Sequence, residues 1–265
     1  MKKYIALLVT SQLCALTSAY AVNLPADMMF EEKPIDSLCF DTYDDSHSKT
    51  IDLKSCGIKN AHYINKGLST ELSNQGFFGY DWQAADGSFE GYSYYKFFAA
   101  KNNTYWIYSI NNGGGTGSFT DISLVRRKDA NTLAILKDIA TGDRCNGGID
   151  EASAKNHVLT FTVNLTSYDL IQLADKKLSG IKAYDDLAAC ATCCSAKAVY
   201  TIQAGHSEPT LKHVEIGGTK AEDFSEQGKY AACFNNLLAA ASKNKQMNQK
   251  DINAFAEKFK QTCVQ

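Results

Sequence analysis

The pattern of apolar and polar positions is clearest between Ser88 and Val125, where it predicts three antiparallel strands joined by two turns. This region also holds the densest aromatic run, because 14 of the chain's 29 Phe, Trp and Tyr residues lie between Phe77 and Phe119. Both predicted turns contain asparagine or glycine, which tolerate the positive φ of tight turns. The three predicted strands are Phe89 to Ala99, Thr104 to Ile110 and Phe119 to Val125.

The first of these strands is aromatic on both of its alternate faces. Tyr92, Tyr94 and Phe98 fall on one face, and Tyr95 and Phe97 fall on the other. A strand that is apolar on both sides usually lies inside a sheet that is covered on both faces. We therefore expect this strand at the centre of the fold.

A β-hairpin is also predicted from residue 38 to residue 56, where polar and apolar positions alternate on both sides of a polar turn. With His47 and Ser48 at the tip, the register places Cys39 opposite Cys56 and predicts a disulfide between them. The same register has two further consequences: Asp41 faces Lys54, and Phe40, Ile51 and Leu53 share the opposite face.

The remaining elements alternate between strands and short helices. Thr166 and Asp169 form a helix-start signal before an apolar-periodic segment, and residues 185–194 are predicted to be a short helix. Further strands are predicted at Thr132 to Ala140, His157 to Leu165, Ala198 to Gln203 and Leu211 to Ile216.

After Gly217 the apolar spacing becomes helical, which predicts two C-terminal helices separated by the polar break 243–248. The predicted fold class is therefore α+β: an antiparallel β-rich body, braced by disulfides, with a C-terminal antiparallel helical pair. We expect residues 22–217 to form the body and residues 218–265 to pack on it as a helical hairpin within one domain.

Residues 1–21 have the features of a secretory signal peptide. Lys2 and Lys3 supply the charged region, an apolar stretch follows, and Ala19-Tyr20-Ala21 matches a small-x-small cleavage site. The prediction is a protein exported to the periplasm or secreted, after cleavage before Val22. The apolar stretch is too short to span a bilayer, and no later segment of the sequence approaches that length, so no membrane span is expected in the mature chain.

Charge argues against polyanionic partners. Removal of the two signal lysines leaves 25 basic residues against 29 acidic ones, a net charge of −4, and there is no basic run. Nucleic acid is therefore not an expected partner.

Eight cysteines follow the predicted cleavage site, and an even number in an exported chain favours disulfides. They are Cys39, Cys56, Cys145, Cys190, Cys193, Cys194, Cys233 and Cys263. The cluster at residues 190–194 would alternatively form a redox dithiol or half of a metal site. Structural disulfides to Cys145 or to the C-terminal helices are favoured, because no βαβ pattern and no second ligand pair accompany the cluster.

The C-terminal helices offer a local bridge between Cys233 and Cys263. Their apolar stripes must face each other, and a disulfide there would staple the pair. Ideal helical rise gives a mismatch of roughly 7 Å along the axis, so the helices would have to be staggered. The rival pairing places one of these cysteines against the cluster at 190–194.

Other motifs in the sequence favour structural roles. The glycine run 113–118 lacks the lysine and the following helix of a phosphate loop, so a hairpin turn is expected. Asp143, Asp150 and Glu151 flank a glycine loop without a calcium-loop spacing, which favours a solvated turn. None of the histidines has a recognised ligand or catalytic spacing; they are His47, His62, His157, His206 and His213.

The aromatic strands leave two interpretations open. The favoured one is a sheet core, and the other is a partly exposed binding face made of Tyr92, Tyr94, Trp106 and Tyr108 for a carbohydrate or protein ligand. The functional prediction is an exported binding or interaction protein without a cofactor. An extracytoplasmic hydrolase is the alternative, and a thiol-redox or metal-binding protein that uses Cys190, Cys193 and Cys194 is the third hypothesis.

Overall fold

The computed structural model describes residues 24–41, 49–57, 63–67, 69–206, 208–216, 228–241 and 245–264. The strands in these ranges are β1 (Met29–Phe30), β2 (Lys33–Pro34), β3 (Thr50–Asp52), β4 (Tyr63–Gly67), β5 (Phe78–Ala84), β6 (Glu90–Ala99), β7 (Thr104–Asn112), β8 (Phe119–Asp129), β9 (Thr132–Asp143), β10 (Ile149–Lys155), β11 (Val158–Leu165), β12 (Ala196–Gln203), β13 (Thr210–Ile216) and β14 (Gln246–Met247). The helices are α1 (Thr70–Asn74), α2 (Ser167–Gln172), α3 (Ala231–Ala241) and α4 (Gln249–Cys263), with 3-10 helices at Ala26–Met28 and Ser37–Phe40.

Antiparallel pairing arranges these strands in two large sheets and one small ribbon. The larger sheet has the order β3-β9-β8-β7-β6-β5-β4, the second has the order β10-β11-β12-β13-β14, and β1 pairs with β2. The seven strands predicted between residues 89 and 216 are all present, as β6 to β9 and β11 to β13. The predicted α+β class, with a β-rich body braced by disulfides and a C-terminal helical pair, is confirmed. Among the described helices, none is long and apolar enough to cross a membrane.

The aromatic strand β6 lies inside the seven-stranded sheet and is covered on both faces, as predicted. Tyr94 contributes to a core that also contains Leu159 and Phe161 of the second sheet. Tyr95 contributes to a separate core in which Phe40 and Leu53 of the N-terminal segment cover the opposite face. One face of the large sheet therefore packs on the second sheet, and the other packs on the N-terminal segments 24–41 and 49–57.

The five-stranded sheet is apolar on one face only. Leu159 and Ile202, toward one end of that face, pack against the large sheet. Leu165 and Val214, toward the other end, are covered by the helices α2, α3 and α4. The sheet is thus one-sided, as is common for antiparallel sheets with one solvated face.

The predicted hairpin from residue 38 to residue 56 is wrong over the part of it that the structure describes. Cys39 lies in the 3-10 helix Ser37–Phe40, which begins where the Asp36 side chain accepts a hydrogen bond from Leu38 N. The strand β3 pairs with β9 and so extends the large sheet. The apolar side chains expected to share a face do lie in one core, because the segment folds over the sheet instead of pairing with itself.

The helices follow the sequence signals unevenly. The predicted capping box is present at the start of α2, where the side chains of Thr166 and Asp169 each accept a hydrogen bond from the other's backbone N–H. The helix predicted at residues 185–194 is absent, and that segment consists of turns and loops. Carbonyl groups of this segment instead accept hydrogen bonds from distant residues: Asp185 O accepts from Lys229 N, and Ala191 O accepts from Cys145 N.

Candidate functional site

The four aromatic residues proposed as a binding face lie mostly between the two sheets. Trp106, Tyr94 and Tyr108 are buried, with 1%, 0% and 4% of their surface exposed, and Tyr92 is half-buried. The core interpretation of Trp106 is therefore confirmed. The four residues do not form an open face, because the second sheet covers them.

The hydroxyl groups of these tyrosines are used inside the protein. Tyr108 donates to Ile149 O at 3.0 Å, and Tyr94 donates to Asp81 Oδ1 at 2.8 Å. Burial is the main reason why the pKa of Tyr94 rises to about 12 and why that of Tyr108 rises as well. Both groups stay protonated across the physiological range, as structural hydrogen-bond donors.

All eight cysteines that were predicted to form disulfides are paired. The predicted bond between Cys39 and Cys56 is present, although the hairpin proposed for it is not. Cys233 is bonded to Cys263, so the rival pairing is wrong. The other two bonds, Cys145 to Cys194 and Cys190 to Cys193, lie in and around the cysteine cluster.

The bond between α3 and α4 forms although the connection between the two helices contains a strand, β14. This strand lies between the two helices and pairs with β13, so the connection is longer than a simple turn. Cys233 near the start of α3 meets Cys263 at the end of α4, with 5.8 Å between their Cα atoms.

Two of the three acidic residues near the glycine loop, Asp143 and Asp150, form ion pairs. Asp143 accepts two hydrogen bonds from the Arg144 guanidinium group, which together with Ser118 N holds the pKa of Asp143 below its usual range. Asp150 pairs with Lys197 at 2.5 Å. Within the described residues, no group of three or more His, Cys, Asp or Glu side chains is arranged to hold a metal ion.

Two of the three described histidines contact a carbonyl or a carboxylate oxygen through a ring nitrogen. His157 Nδ1 lies 2.7 Å from Ala100 O, and His213 Nε2 lies 3.3 Å from Glu215 Oε1. His206 lies in an exposed turn after β12. His47 and His62 lie outside the described residues, as does the predicted signal peptide.

A cleft of about 640 Å3 opens between the N-terminal segment and the edge of the large sheet. We refer to it as the N-terminal cleft. Its floor comes from β5 and one side from β4, and the opposite wall is the segment 30–39, which the Cys39–Cys56 bond holds. Its volume falls within the range of small-molecule sites. The lining residues are Phe30, Glu31, Lys33, Pro34, Ile35, Asp36, Ser37, Cys39, Leu53, Cys56, Asn65, Phe78, Gly79 and Tyr80.

The wall of the cleft is fixed to its floor by Asp36 and Tyr80. Tyr80 donates a 2.6 Å hydrogen bond to Asp36 Oδ1, which also accepts from Leu38 N. Burial, followed by the bond to Asp36, raises the pKa of Tyr80 well above its ordinary value. Gly57 allows the carboxyl group to sit there, because a Cβ at this position would lie 2.7 Å from Asp36 Oδ2.

The lip of the cleft is the two-residue turn between β1 and β2. Glu31 and Glu32 occupy it with φ values of 50° and 63°, the left-handed conformation at both central positions. This geometry is typical of a type I′ hairpin turn, in which asparagine and glycine are strongly preferred. Two glutamates there carry backbone strain, and such strain concentrates at functional sites.

A row of buried polar side chains lies on the face of the large sheet that also carries Tyr95. Ser93 donates a 2.6 Å hydrogen bond to Asn111 Oδ1 across β6 and β7, and Ser109 lies directly opposite Asp121 across β7 and β8. Asp121 is 8% exposed, and its pKa is raised to about 7, first by burial and second by the charge of Asp138.

Neither the cleft nor the polar row was predicted from the sequence. The wall residues of the cleft lie in irregular segments, where no periodicity indicates burial. Asp121, by contrast, stands in an alternating strand, on the same face as Phe119 and Val125. That position in the pattern is the one signal that would have revealed a buried carboxyl group.

The chain was compared with protein-family models, curated proteins and solved structures, and it matches none of them.

Proposed function

We propose that the protein is an exported binding protein that holds a carbohydrate ligand in the N-terminal cleft without a cofactor. The observation that carries this proposal is the mixed lining of the cleft, in which aromatic rings lie beside carboxylate, amide and ammonium groups. A sugar ring stacks its apolar face on aromatic side chains, while its hydroxyl groups both donate and accept hydrogen bonds.

The lining residues have different parts in this proposal. Phe30 and Phe78 are half-buried and would contact the apolar face of a sugar. Glu31 at the lip and Lys33 in β2 are both exposed, and they would accept from and donate to its hydroxyl groups, respectively. Asp36 is already bound by Tyr80, so its role is to shape the cleft.

Export is supported by the predicted signal peptide at residues 1–21 and by the four disulfides, which persist in oxidising compartments. The intact mass of the protein isolated from its producing cells tests this part. A chain that begins at Val22 is the expected result, and a chain that keeps residues 1–21 would contradict it.

Binding is tested by isothermal titration against a panel of defined oligosaccharides, with Lys33→Ala and Asn65→Ala as cleft variants. We expect both to weaken binding by about tenfold, the effect of one lost hydrogen bond to a charged or polar group. Lys177→Ala is the matched control, because Lys177 lines a different cavity beside α4. Binding to no member of the panel, or equal affinity in all variants, would contradict the proposal.

The same panel addresses the hydrolase alternative. If new reducing ends are released from any oligosaccharide, the protein hydrolyses it, and the hydrolase alternative replaces the binding proposal. Unchanged oligosaccharides recovered from the binding experiment are the result expected for a binding protein.

A protein ligand is the second candidate, and the observation that favours it is the exposed edge of the large sheet. β4 is the outermost strand, and residues 64–67 are exposed, with Ile64 at 48%. An extended peptide could add a strand to this edge. Ile64→Lys should lower the affinity for such a peptide and leave oligosaccharide binding unchanged. The variant therefore separates the two candidates.

A further inference from the structure

The loop at residues 188–195 carries two disulfides that use adjacent cysteines. Cys190 is bonded to Cys193 within a C-x-x-C motif, and Cys194 is bonded to Cys145 in the loop before β10. We refer to residues 188–195 as the cysteine loop. The two bonds differ in span, because the first closes a sequence separation of 3 and the second one of 49.

The two sulfurs of the C-x-x-C bond also differ in access. Cys193 is 1% exposed, whereas Cys190 is half-buried, beside the exposed residue Thr192. The Cys190 sulfur lies 3.5 Å from Thr192 Oγ1 on this outer side of the loop. Thiol–disulfide exchange requires a thiolate to reach one sulfur of the bond, and here Cys190 is the sulfur that can be reached.

The cysteine loop is held in place without the Cys190–Cys193 bond. Ala191 O accepts a hydrogen bond from Cys145 N at 3.1 Å, and Ser195 N donates to Leu165 O at 2.8 Å. The Cys145–Cys194 bond joins the same two segments covalently. Two more contacts fix the ends of the loop: Tyr168 N donates to Ala188 O at 3.1 Å, and the hydroxyls of Ser167 and Ser195 lie 2.8 Å apart.

The Cys190–Cys193 bond is therefore structurally redundant within the cysteine loop. Its short span constrains the unfolded chain least. When it opens, Cys193 N can keep its 3.0 Å hydrogen bond to Cys190 O, so the two sulfurs stay close enough to pair again. A bond that can open and close without disturbing the fold is suited to reversible chemistry.

We propose that Cys190–Cys193 is a thiol–disulfide exchange site that oxidises dithiols of peptides or proteins. A substrate thiolate attacks the Cys190 sulfur and forms a mixed disulfide, and the electron pair of the broken bond leaves on Cys193, which takes up a proton from solvent. The second substrate thiolate then attacks the substrate sulfur of the mixed disulfide and releases Cys190 as a thiolate, which is also protonated. The substrate gains a disulfide and loses two electrons, and the motif becomes a dithiol. A small-molecule disulfide, such as oxidised glutathione, restores it by the reverse exchange.

The first experiment follows the order in which the bonds open. The oxidised protein is equilibrated in glutathione buffers of increasing reducing strength, alkylated and mapped by mass spectrometry, while circular dichroism follows the fold. We expect Cys190 and Cys193 to become alkylated first, with the native spectrum retained. Prior or simultaneous opening of Cys145–Cys194, or loss of the fold together with the first bond, would overturn the proposal.

The second experiment tests which sulfur is attacked. Cys193→Ser leaves Cys190 to accept glutathione from its disulfide, and Cys190→Ser leaves Cys193. We expect the adduct at Cys190 to form faster by on the order of tenfold, because Cys193 is buried. Equal rates would overturn the assignment of Cys190 as the attacked sulfur.

The third experiment measures oxidation of a synthetic peptide dithiol by the wild-type protein and by a variant in which both Cys190 and Cys193 are replaced by serine. The wild type should form one peptide disulfide per protein, and the double variant none. The control replaces both Cys233 and Cys263, and it should keep the wild-type yield. A yield that depends on the control pair instead would contradict the proposal.

Discussion

Tyr80 and Asp36 are 44 residues apart in the chain, and the hydroxyl of Tyr80 donates a 2.6 Å hydrogen bond to the carboxylate of Asp36. Asp36 also accepts from Leu38 N, which starts the 3-10 helix Ser37–Phe40. This one carboxyl group therefore both begins a helix and ties the N-terminal segment to β5. The contact links two residues that line the N-terminal cleft.

Tyr80→Phe removes the hydroxyl and should destabilise the protein by about 2 kcal/mol, since a hydrogen bond to a charged group contributes roughly 1.5–3 kcal/mol. Urea denaturation followed by tryptophan fluorescence measures the change. Tyr184→Phe is the control, because Tyr184 is 62% exposed and should change stability by less than about 0.5 kcal/mol. Equal effects of the two substitutions would show that the bond to Asp36 contributes nothing particular.

Replacing Glu31 and Glu32 by Asn-Gly should stabilise the protein by about 1 kcal/mol, because both positions have positive φ and the new residues adopt it more readily. If the glutamates are retained for binding, the same variant should bind oligosaccharides more weakly. Thermal unfolding and titration measure the two effects. A variant that is less stable than the wild type would argue against strain at this turn.

Trp106→Ala should destabilise the protein by about 3–5 kcal/mol through lost burial and the cavity left behind. The indole is 1% exposed and lies in the core between the two sheets. Phe89→Ala is the comparison, since Phe89 is 40% exposed, and its effect should be much smaller. Chemical denaturation of both variants decides the matter; a Trp106→Ala protein of unchanged stability would contradict the core assignment.

The sequence predicted the middle of the fold better than its beginning. β6 and β7 are apolar on both faces, as a strand covered on both sides requires, and Asn102 and Asn103 take φ values of 54° in the tight turn between them. Local signals therefore agree with the tertiary structure there. The Cys39–Cys56 bond is predicted correctly, but the hairpin register that predicted it is not observed. Both cysteines instead lie in segments that pack over the face of the large sheet.

Long-range contacts explain what the sequence could not predict. The cleft depends on Asp36 meeting Tyr80 and on Gly57 leaving room beside the carboxyl group, and no local pattern encodes either contact. The segment 185–194 has helical composition, yet Cys145 and Lys229 from distant parts of the chain take up its carbonyl groups. Tertiary contacts override helix propensity in such a segment.

Asp121 should make the protein less stable as the pH rises from about 4 to about 8. Its pKa in the folded protein is raised to about 7, first by burial and second by the charge of Asp138, whereas an unfolded aspartate has a pKa near 3.9. Between these values the folded state holds a proton that the unfolded state has lost. The stabilising contribution is therefore complete below about pH 4 and is lost as the pH passes through 7. Asp143 has a lowered pKa, so its own contribution changes only below about pH 4 and does not overlap this window.

Asp121→Asn removes the titrating group and keeps the shape of the side chain. The variant should be more stable than the wild type at pH 8, by up to on the order of 4 kcal/mol, and should lose most of the decline in stability between pH 5 and pH 8. The free energy of unfolding in urea, measured at half-unit pH steps, gives both profiles. Asp138→Asn is the matched control, because it removes only the second cause and should flatten the wild-type curve in part. Parallel profiles for the wild type and Asp121→Asn would show that this carboxyl group is not the source of the pH dependence.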